Sequence, residues 1–205
     1  KTFNEKLRFI NIVRHPLYMI QQQALNHQEF KKNPARQFLQ TFKYKETDVP
    51  FFWEENLTEY HLIKNNFEKA IIQMSKVEKL TLKIEKIINN KYKNNFLKIP
   101  FEQFVLNPKI YKKKIEKFLN VEFSHNVLKT MKKEKVPRLK ITEGRDTKIY
   151  RKYGWTKGSK NLTEIEEINK KLQFIKDQKL SQKCMDKLMK LSENYEKRHM
   201  KDLLS

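Results

Sequence analysis

Short β-branched runs and longer stretches of helical spacing divide this chain into blocks. Leu7 to Val13 (LRFINIV) is the first block and predicts a buried strand. Arg14 ends it, Pro16 falls where a first helical turn tolerates proline, and Leu17, Met19, Ile20 and Leu25 continue with roughly helical spacing. The local pattern is strand, Arg-His-Pro, helix, which is half of a βα unit. Residues 31–58 carry Pro34, Pro50 and the aromatic cluster Phe51, Phe52 and Trp53 without a sustained period, so they predict a long, partly irregular connection. From Tyr60 to Ile88 the positions Ile63, Phe67, Ala70, Met74, Val77, Thr81, Ile84 and Ile88 alternate in steps of four and three. That spacing predicts one amphipathic helix about 45 Å long, packed on its own sheet. The same period suits a coiled-coil arm, although Ala70 and Thr81 weaken such a seam.

Asn89, Asn90, Asn94 and Asn95 break the helix, and Phe96 to Phe101 (FLKIPF) predicts a second short strand, with Pro100 at its end or on an edge. Pro108 opens a helix through Leu119 whose stripe is Ile110, Ile115, Phe118 and Leu119. Ser124 can cap a short helix through Met131, stopped by Val136, Pro137 and Arg138. Residues 137–160 (PRLKITEGRDTKIYRKYGWTKGSK) form a basic, aromatic, glycine-containing loop unlike the rest. Thr163 with Glu166 is a capping box for a helix near residues 164–177. Ser181 begins a last helix carrying Cys184, Leu188, Leu191 and Tyr195 on one stripe. Strands separated by long helical stretches predict an α-rich α/β domain with a parallel sheet.

Composition narrows the chemistry. The 205 residues suit one ordinary domain with a buried core, and an aromatic content of 12% argues against disorder. Three glycines, Gly144, Gly154 and Gly158, cannot write a Gly-rich phosphate loop or dinucleotide fingerprint. One cysteine, Cys184, excludes an intrachain disulfide framework and a multi-cysteine zinc site; a reducing, cytoplasmic setting is expected, and Cys184 itself is read as a buried, inert thiol. His15, His27, His61, His125 and His199 are scattered without metal spacing, so no metal is expected. No apolar run approaches the roughly 20 residues that span a bilayer. The formal charge of +21 is the balance of 38 Lys and 7 Arg, spread over the whole chain, against 24 Asp and Glu. Such a balance is written either by an A/T-rich genome on any solvated surface or by a face for anionic partners.

Arg14 is the sharpest single residue. Ligands of open parallel sheets gather at the carboxyl ends of strands, and a following helix turns the positive end of its dipole there. An arginine at that junction adds a permanently charged fork suited to phosphate. Pairing with a carboxylate is the structural alternative for the same residue.

The run Ile12-Val13-Arg14-His15-Pro16-Leu17-Tyr18-Met19-Ile20 resembles the sulfotransferase segment that binds the 3′-phosphate of 3′-phosphoadenosine 5′-phosphosulfate (PAPS), where a strand ends in Arg-x-Pro and a helix follows. Ile99-Pro100-Phe101-Glu102-Gln103-Phe104-Val105-Leu106-Asn107-Pro108, with Ile115-Glu116-Lys117-Phe118-Leu119 after it, resembles that family's later strand end, its Asn/Asp-Pro turn and its helix closing in Phe-Leu. The two matches, in this order and with a long helix between them, cover most of residues 7–120. More loosely, Arg151-Lys152-Tyr153-Gly154-Trp155 resembles the late Arg-Lys-Gly loop that closes over the nucleotide.

The resemblance implies a P-loop-like parallel sheet flanked by helices, incomplete at the N-terminus, in a single sulfotransferase-like domain over residues 1–205. It implies PAPS as co-substrate, bound by Arg14, Gln22, Phe101, Arg151 and Lys152, and a hydroxyl or amine acceptor on a carbohydrate or small metabolite. Gln22 stands where the family usually has a serine, and Phe101 where many members have a tyrosine near the adenine. Glu102 would be a structural carboxylate tying strand end to helix. Arg138 and Arg145 are lesser candidates on charge alone, and Trp53 with Phe51 and Phe52 could line an acceptor pocket, local packing being their other use. In the family the phosphosulfate cradle, its lysine and the base lie before the strand that ends here in Arg14. They are expected upstream of Lys1, no catalytic residue is assigned, and the chain alone is expected to be inactive. Two other uses of the residues stay open. One is a non-enzymatic nucleic-acid-binding module stacking bases on Tyr150, Tyr153 and Trp155, against which the evenly spread charge counts. The other is a homo-oligomer through residues 60–88.

Overall fold

A computed structural model describes residues 7–30, 41–91, 95–141 and 162–200. In chain order these form β1 (Phe9–Val13), α1 (Pro16–Phe30), β2 (Thr41–Tyr44), β3 (Thr47–Pro50), a 3-10 helix (Phe51–Asn56), α2 (Leu57–Leu62), α3 (Asn66–Lys91), β4 (Phe96–Pro100), α4 (Phe101–Leu106), α5 (Pro108–Leu119), α6 (His125–Lys133), α7 (Glu164–Lys176) and α8 (Gln182–His199). The described residues are mixed α/β and mostly helical, with a small parallel sheet of two strands. They group into two compact units. The first draws on the segments Lys1–His15, Lys83–Ile168 and Glu196–Ser205, as far as these are described; the second on Pro16–Leu82 and Asn169–Tyr195.

In the first unit β1 and β4 pair in parallel, Phe9 opposite Phe96 through Val13 opposite Pro100. Parallel neighbours need a crossover, which here is everything from α1 to α3. Pro100 closes the ladder because it lacks the N–H to extend it. Ile99, Val105, Val136, Ile141 and Met200 are buried in this unit. β1 is open by contrast: Phe9 and Ile10 are exposed and Ile12 is 64% exposed, although parallel strands are ordinarily covered on both faces. Pro108 stands at the start of α5, and Asn120 ends that helix in the left-handed region at φ 57°, which asparagine tolerates better than most residues. The expected capping box is present at α7: Thr163 Oγ1 accepts from the Glu166 N–H, and Glu166 Oε2 accepts from the Thr163 N–H.

The second unit centres on the N-terminal half of α3, where Lys69, Ala70, Ile71, Ile72, Gln73 and Met74 are all buried, so the helix is enclosed on every side over those residues. Val49, Trp53, Tyr60, Leu188 and Leu191 are buried in the same unit. The stripe expected on α8 is the face it buries, Cys184, Leu188, Leu191 and Tyr195.

Three expectations need correction. The connection over residues 31–58 holds a hairpin, β2 paired antiparallel with β3, joined at Lys45 and Glu46 with φ of 46° and 61°. The turn was hidden because Lys-Glu replaces the Asn-Gly type of sequence that ordinarily writes two left-handed residues. The helix expected from Tyr60 to Ile88 is two helices. Ile63 is extended, and Asn65 Oδ1 accepts from the Phe67 N–H at 2.9 Å, supplying a fresh helix start. Phe101, expected to end the second strand, instead opens α4. Residues 31–40 and 142–161 lie outside the described residues.

Candidate functional site

The parallel register decides which side chains meet at the carboxyl end of the sheet. Val13 faces Pro100, so the next residues, Arg14 and Phe101, leave neighbouring strands together. The Arg14 guanidinium carbon lies over the Phe101 ring, 4.9 Å from its centroid. The following residue on each chain completes the junction: Glu102 Oε1 accepts the His15 backbone N–H at 3.1 Å and stands 3.8 Å from Arg14 Nε. Glu102 is fully buried, and an isolated carboxylate there would be costly. The N–H and the neighbouring guanidinium offset that cost, so the carboxylate fastens the exit of β1 to the start of α4.

Arg14 is held without being consumed. Its side chain is 36% exposed, and at 3.8 Å through Nε its contact with Glu102 lacks the paired, short N–H···O bonds of a guanidinium–carboxylate fork. Arg14 Nε is shielded from solvent and makes no hydrogen bond among the described residues. The carboxylate alternative weighed for Arg14 is therefore present only as a loose contact.

Arg138 reaches the same ring. Its backbone N–H donates to Val105 O at 2.8 Å, which fixes it on α4, and its guanidinium carbon lies 5.3 Å from the Phe101 centroid. Arg138 Nη1 donates to Ile141 O at 2.9 Å, and the Ile141 N–H in turn donates to Glu164 Oε1 at 3.3 Å. Burial pushes the Glu164 carboxyl above its usual range, and the neighbouring Glu167 charge acts in the same direction. Charge alone had made Arg138 a lesser candidate; the structure brings it to Arg14 through a ring that no local pattern connects to it.

The other anticipated residues divide clearly. Gln22 lies on α1, where its Nε2 donates to Asn26 Oδ1 at 2.9 Å, one turn on. Trp53 is fully buried in the core of the second unit, so it packs rather than lining an open pocket. The Phe51 and Phe52 rings lie against each other, tilted by 36°, with centroids 3.9 Å apart. Arg145, Tyr150, Arg151, Lys152, Tyr153 and Trp155 lie outside the described residues. Cys184 is buried, and burial pushes its thiol up, away from the reactive thiolate. His15, unpaired in the sequence pattern, has its buried Nε2 2.9 Å from Glu196 Oε1. Burial also holds His199 below the usual imidazole range. Among the described residues no cluster of His, Cys, Asp and Glu could hold a metal ion, and no helix is long and apolar enough to cross a membrane.

Compared with family models, curated proteins and solved structures, the chain matches none. The functional reading therefore rests on the residues and their geometry.

Proposed function

We propose that this chain is part of a PAPS-dependent sulfotransferase with a P-loop-like α/β fold, in which Arg14 holds the 3′-phosphate of the donor. One observation carries the reading. Arg14 and Phe101-Glu102, from the two segments that resemble the family, meet past the carboxyl ends of neighbouring parallel strands. Ligands of open α/β sheets collect at that edge, and a guanidinium that stays charged at any working pH suits a phosphate. The apolar side chains exposed on β1 also favour a wider sheet than two strands.

In the reaction, the bond between sulfur and the 5′-phosphate oxygen of PAPS breaks, and a bond forms from sulfur to the acceptor's hydroxyl oxygen or amine nitrogen. The acceptor gives up its proton to a base, and adenosine 3′,5′-bisphosphate leaves with the electron pair of the broken bond. Arg14 acts away from the reacting sulfur. It neutralises a phosphate present in both donor and product, so it contributes binding rather than selective stabilisation of the transition state. The acceptor is a carbohydrate or small metabolite, and neither the base nor the cradle of the phosphosulfate is assigned to a residue here.

Calorimetric titration with adenosine 3′,5′-bisphosphate tests the reading. Arg14→Ala is expected to weaken binding by about 10- to 100-fold, the usual worth of a charge-assisted hydrogen bond. Equal affinities for the two proteins would remove Arg14 from the site. Tight oligonucleotide binding with a steep salt dependence, and no preference for the 3′-phosphorylated nucleotide, would favour a nucleic-acid-binding module instead.

A further inference from the structure

We infer that α6 (His125–Lys133) docks on the surface of an anionic lipid bilayer, lying along it rather than crossing it, an inference that goes beyond the function proposed above and does not depend on it. Helical spacing puts Val127, Leu128 and Met131 on one face of α6 and Lys129 and Lys133 opposite them. Such a helix ordinarily buries its apolar face, as α8 does with Cys184, Leu188, Leu191 and Tyr195. No residue of α6 is buried; Val127 and Leu128 are exposed, and so is Val121 just ahead of the helix.

The helix is nevertheless fixed at both ends. Before it, the Phe123 N–H donates to Glu116 Oε1 at 2.7 Å, which ties the entry to α5. Behind it, Lys135 is left-handed at φ 54°, and the Val136 N–H returns to Met131 O at 2.9 Å. Val136 itself is buried. α6 is therefore a tethered element with an open apolar face, not a fraying end.

Charge and size choose the occupant. Lys129, Lys132 and Lys133 make no ion pair among the described residues, whereas Lys112 on α5 pairs with Glu116 at 2.9 Å. α6 contains no carboxylate of its own. A second copy would set the same lysines against one another, and the formal charge of +21 disfavours it further. A stable protein partner needs about 800 Å² on each side, more than the three apolar side chains of so short a helix present. Nucleic acid would meet the lysines and leave Val127 and Leu128 uncovered. A bilayer interface suits both faces: the apolar side chains enter the boundary between headgroups and acyl chains, and the lysines extend to anionic headgroups.

The test is sedimentation of the full chain with vesicles of phosphatidylcholine alone and of phosphatidylcholine mixed with phosphatidylserine. Three variants join wild type, each checked by thermal unfolding. Val127→Ser with Leu128→Ser removes the apolar contact. Lys129→Gln with Lys132→Gln and Lys133→Gln removes charge from α6. Lys183→Gln with Lys190→Gln and Lys197→Gln removes the same charge from exposed positions on α8, whose apolar face is covered. Wild type should prefer the mixed vesicles by about tenfold or more. The serine pair should weaken that binding by about tenfold and the α6 lysine triple by about 10- to 100-fold, while the α8 triple should stay within about threefold of wild type.

Equal losses in the two lysine triples overturn the inference, because the attraction would then be spread over the whole surface. Loss in the α6 triple with none in the serine pair also overturns it and points to a polyanion such as nucleic acid, which oligonucleotide binding by the same variants would record. Wild type that ignores both vesicles overturns it as well, and self-association abolished by the serine pair would then make the face a contact between copies. Should the serine pair fail to fold, the two lysine triples still decide, since all six positions are exposed. None of these outcomes bears on Arg14, whose bisphosphate binding is read separately.

Discussion

At the strand ends Phe101 carries Arg14 and Arg138 on a half-exposed ring, whereas in the second unit Lys69 lies over Tyr60 at 3.7 Å and Lys76 over Trp53 at 4.4 Å, both rings buried. The contact type is the same and its use differs. In the second unit the ring is core, and the lysine stem covers it; Lys76 Nζ also donates to Asn56 Oδ1 at 2.6 Å. Burial holds the Lys76 ammonium below its usual range, so that cation can be given up. Arginine cannot be neutralised this way. A cation over a ring is therefore a packing device where ring and charge are enclosed, and a candidate anion site where permanent charges reach a half-open edge.

The largest expected difference is in stability. Trp53→Ala should cost about 3–5 kcal/mol, as truncation of a fully buried aromatic does, whereas Phe101→Ala, at a half-exposed position, should cost about 1–2 kcal/mol. Urea unfolding of the two variants measures both, and equal losses would erase the contrast. Next, Glu102→Ala should cost about 2–4 kcal/mol, since it removes the buried acceptor of the His15 N–H and the charge beside Arg14. Glu102→Gln, which keeps an acceptor but loses the charge, should recover part of it. A neutral Glu102→Ala would mean that the carboxylate does not fasten the strand ends.

Alkaline pH separates the regions without mutation. Burial raises the Tyr60 phenol to about 12 from an ordinary 10.0. The folded protein then keeps a proton that the unfolded chain releases, so stability is full below pH 10 and falls as pH rises from about 10 to about 12. Lys76 acts in the opposite direction. Its ammonium is disfavoured on folding, so stability rises with pH between its lowered value and the ordinary 10.5. Tyr60→Phe keeps the ring under Lys69 and should remove the fall, as pH-dependent urea midpoints would record. An undiminished fall would locate the titration elsewhere.

What could be read from the sequence follows from how local each cause is. The end of β1, the proline that opens α5, the Thr163 and Glu166 cap and the buried stripe of α8 are each written within a few neighbouring residues, and each is found in the fold. The hairpin at Lys45 and Glu46 escaped because its left-handed turn lacks glycine and asparagine. The break before α3 escaped because apolar spacing runs on through Ile63 while the backbone restarts at Asn65. At the site, Arg14 was legible as a strand-end cation. The Phe101–Arg138 contact and the His15–Glu196 pair join distant segments, and neither leaves a periodic trace.

The smallest predicted effect concerns how the second arginine at Phe101 is supported. Arg138 leans on Ile141, Ile141 on Glu164, and Glu164 opens α7, whose start is fixed by Thr163 and Glu166. Hydrogen bonds from the Thr163 N–H and hydroxyl hold the Glu166 carboxyl below its usual range. The cap is therefore in place above the ordinary carboxylate pKa, and its contribution fades only as pH falls through that lowered value. Thr163→Ala should cost about 1 kcal/mol, the usual worth of a lost N-cap. If the chain of contacts from α7 to Arg138 is what holds the Phe101 ring beneath Arg14, the same variant should weaken adenosine 3′,5′-bisphosphate binding about twofold, within the roughly 1 kcal/mol of the cap itself. Trp53→Phe, a conservative change in the other cation–ring region, should leave that affinity unchanged. Loss of affinity in Trp53→Phe but not in Thr163→Ala would place the support of the anion site in the second unit and reverse the contrast between the two rings.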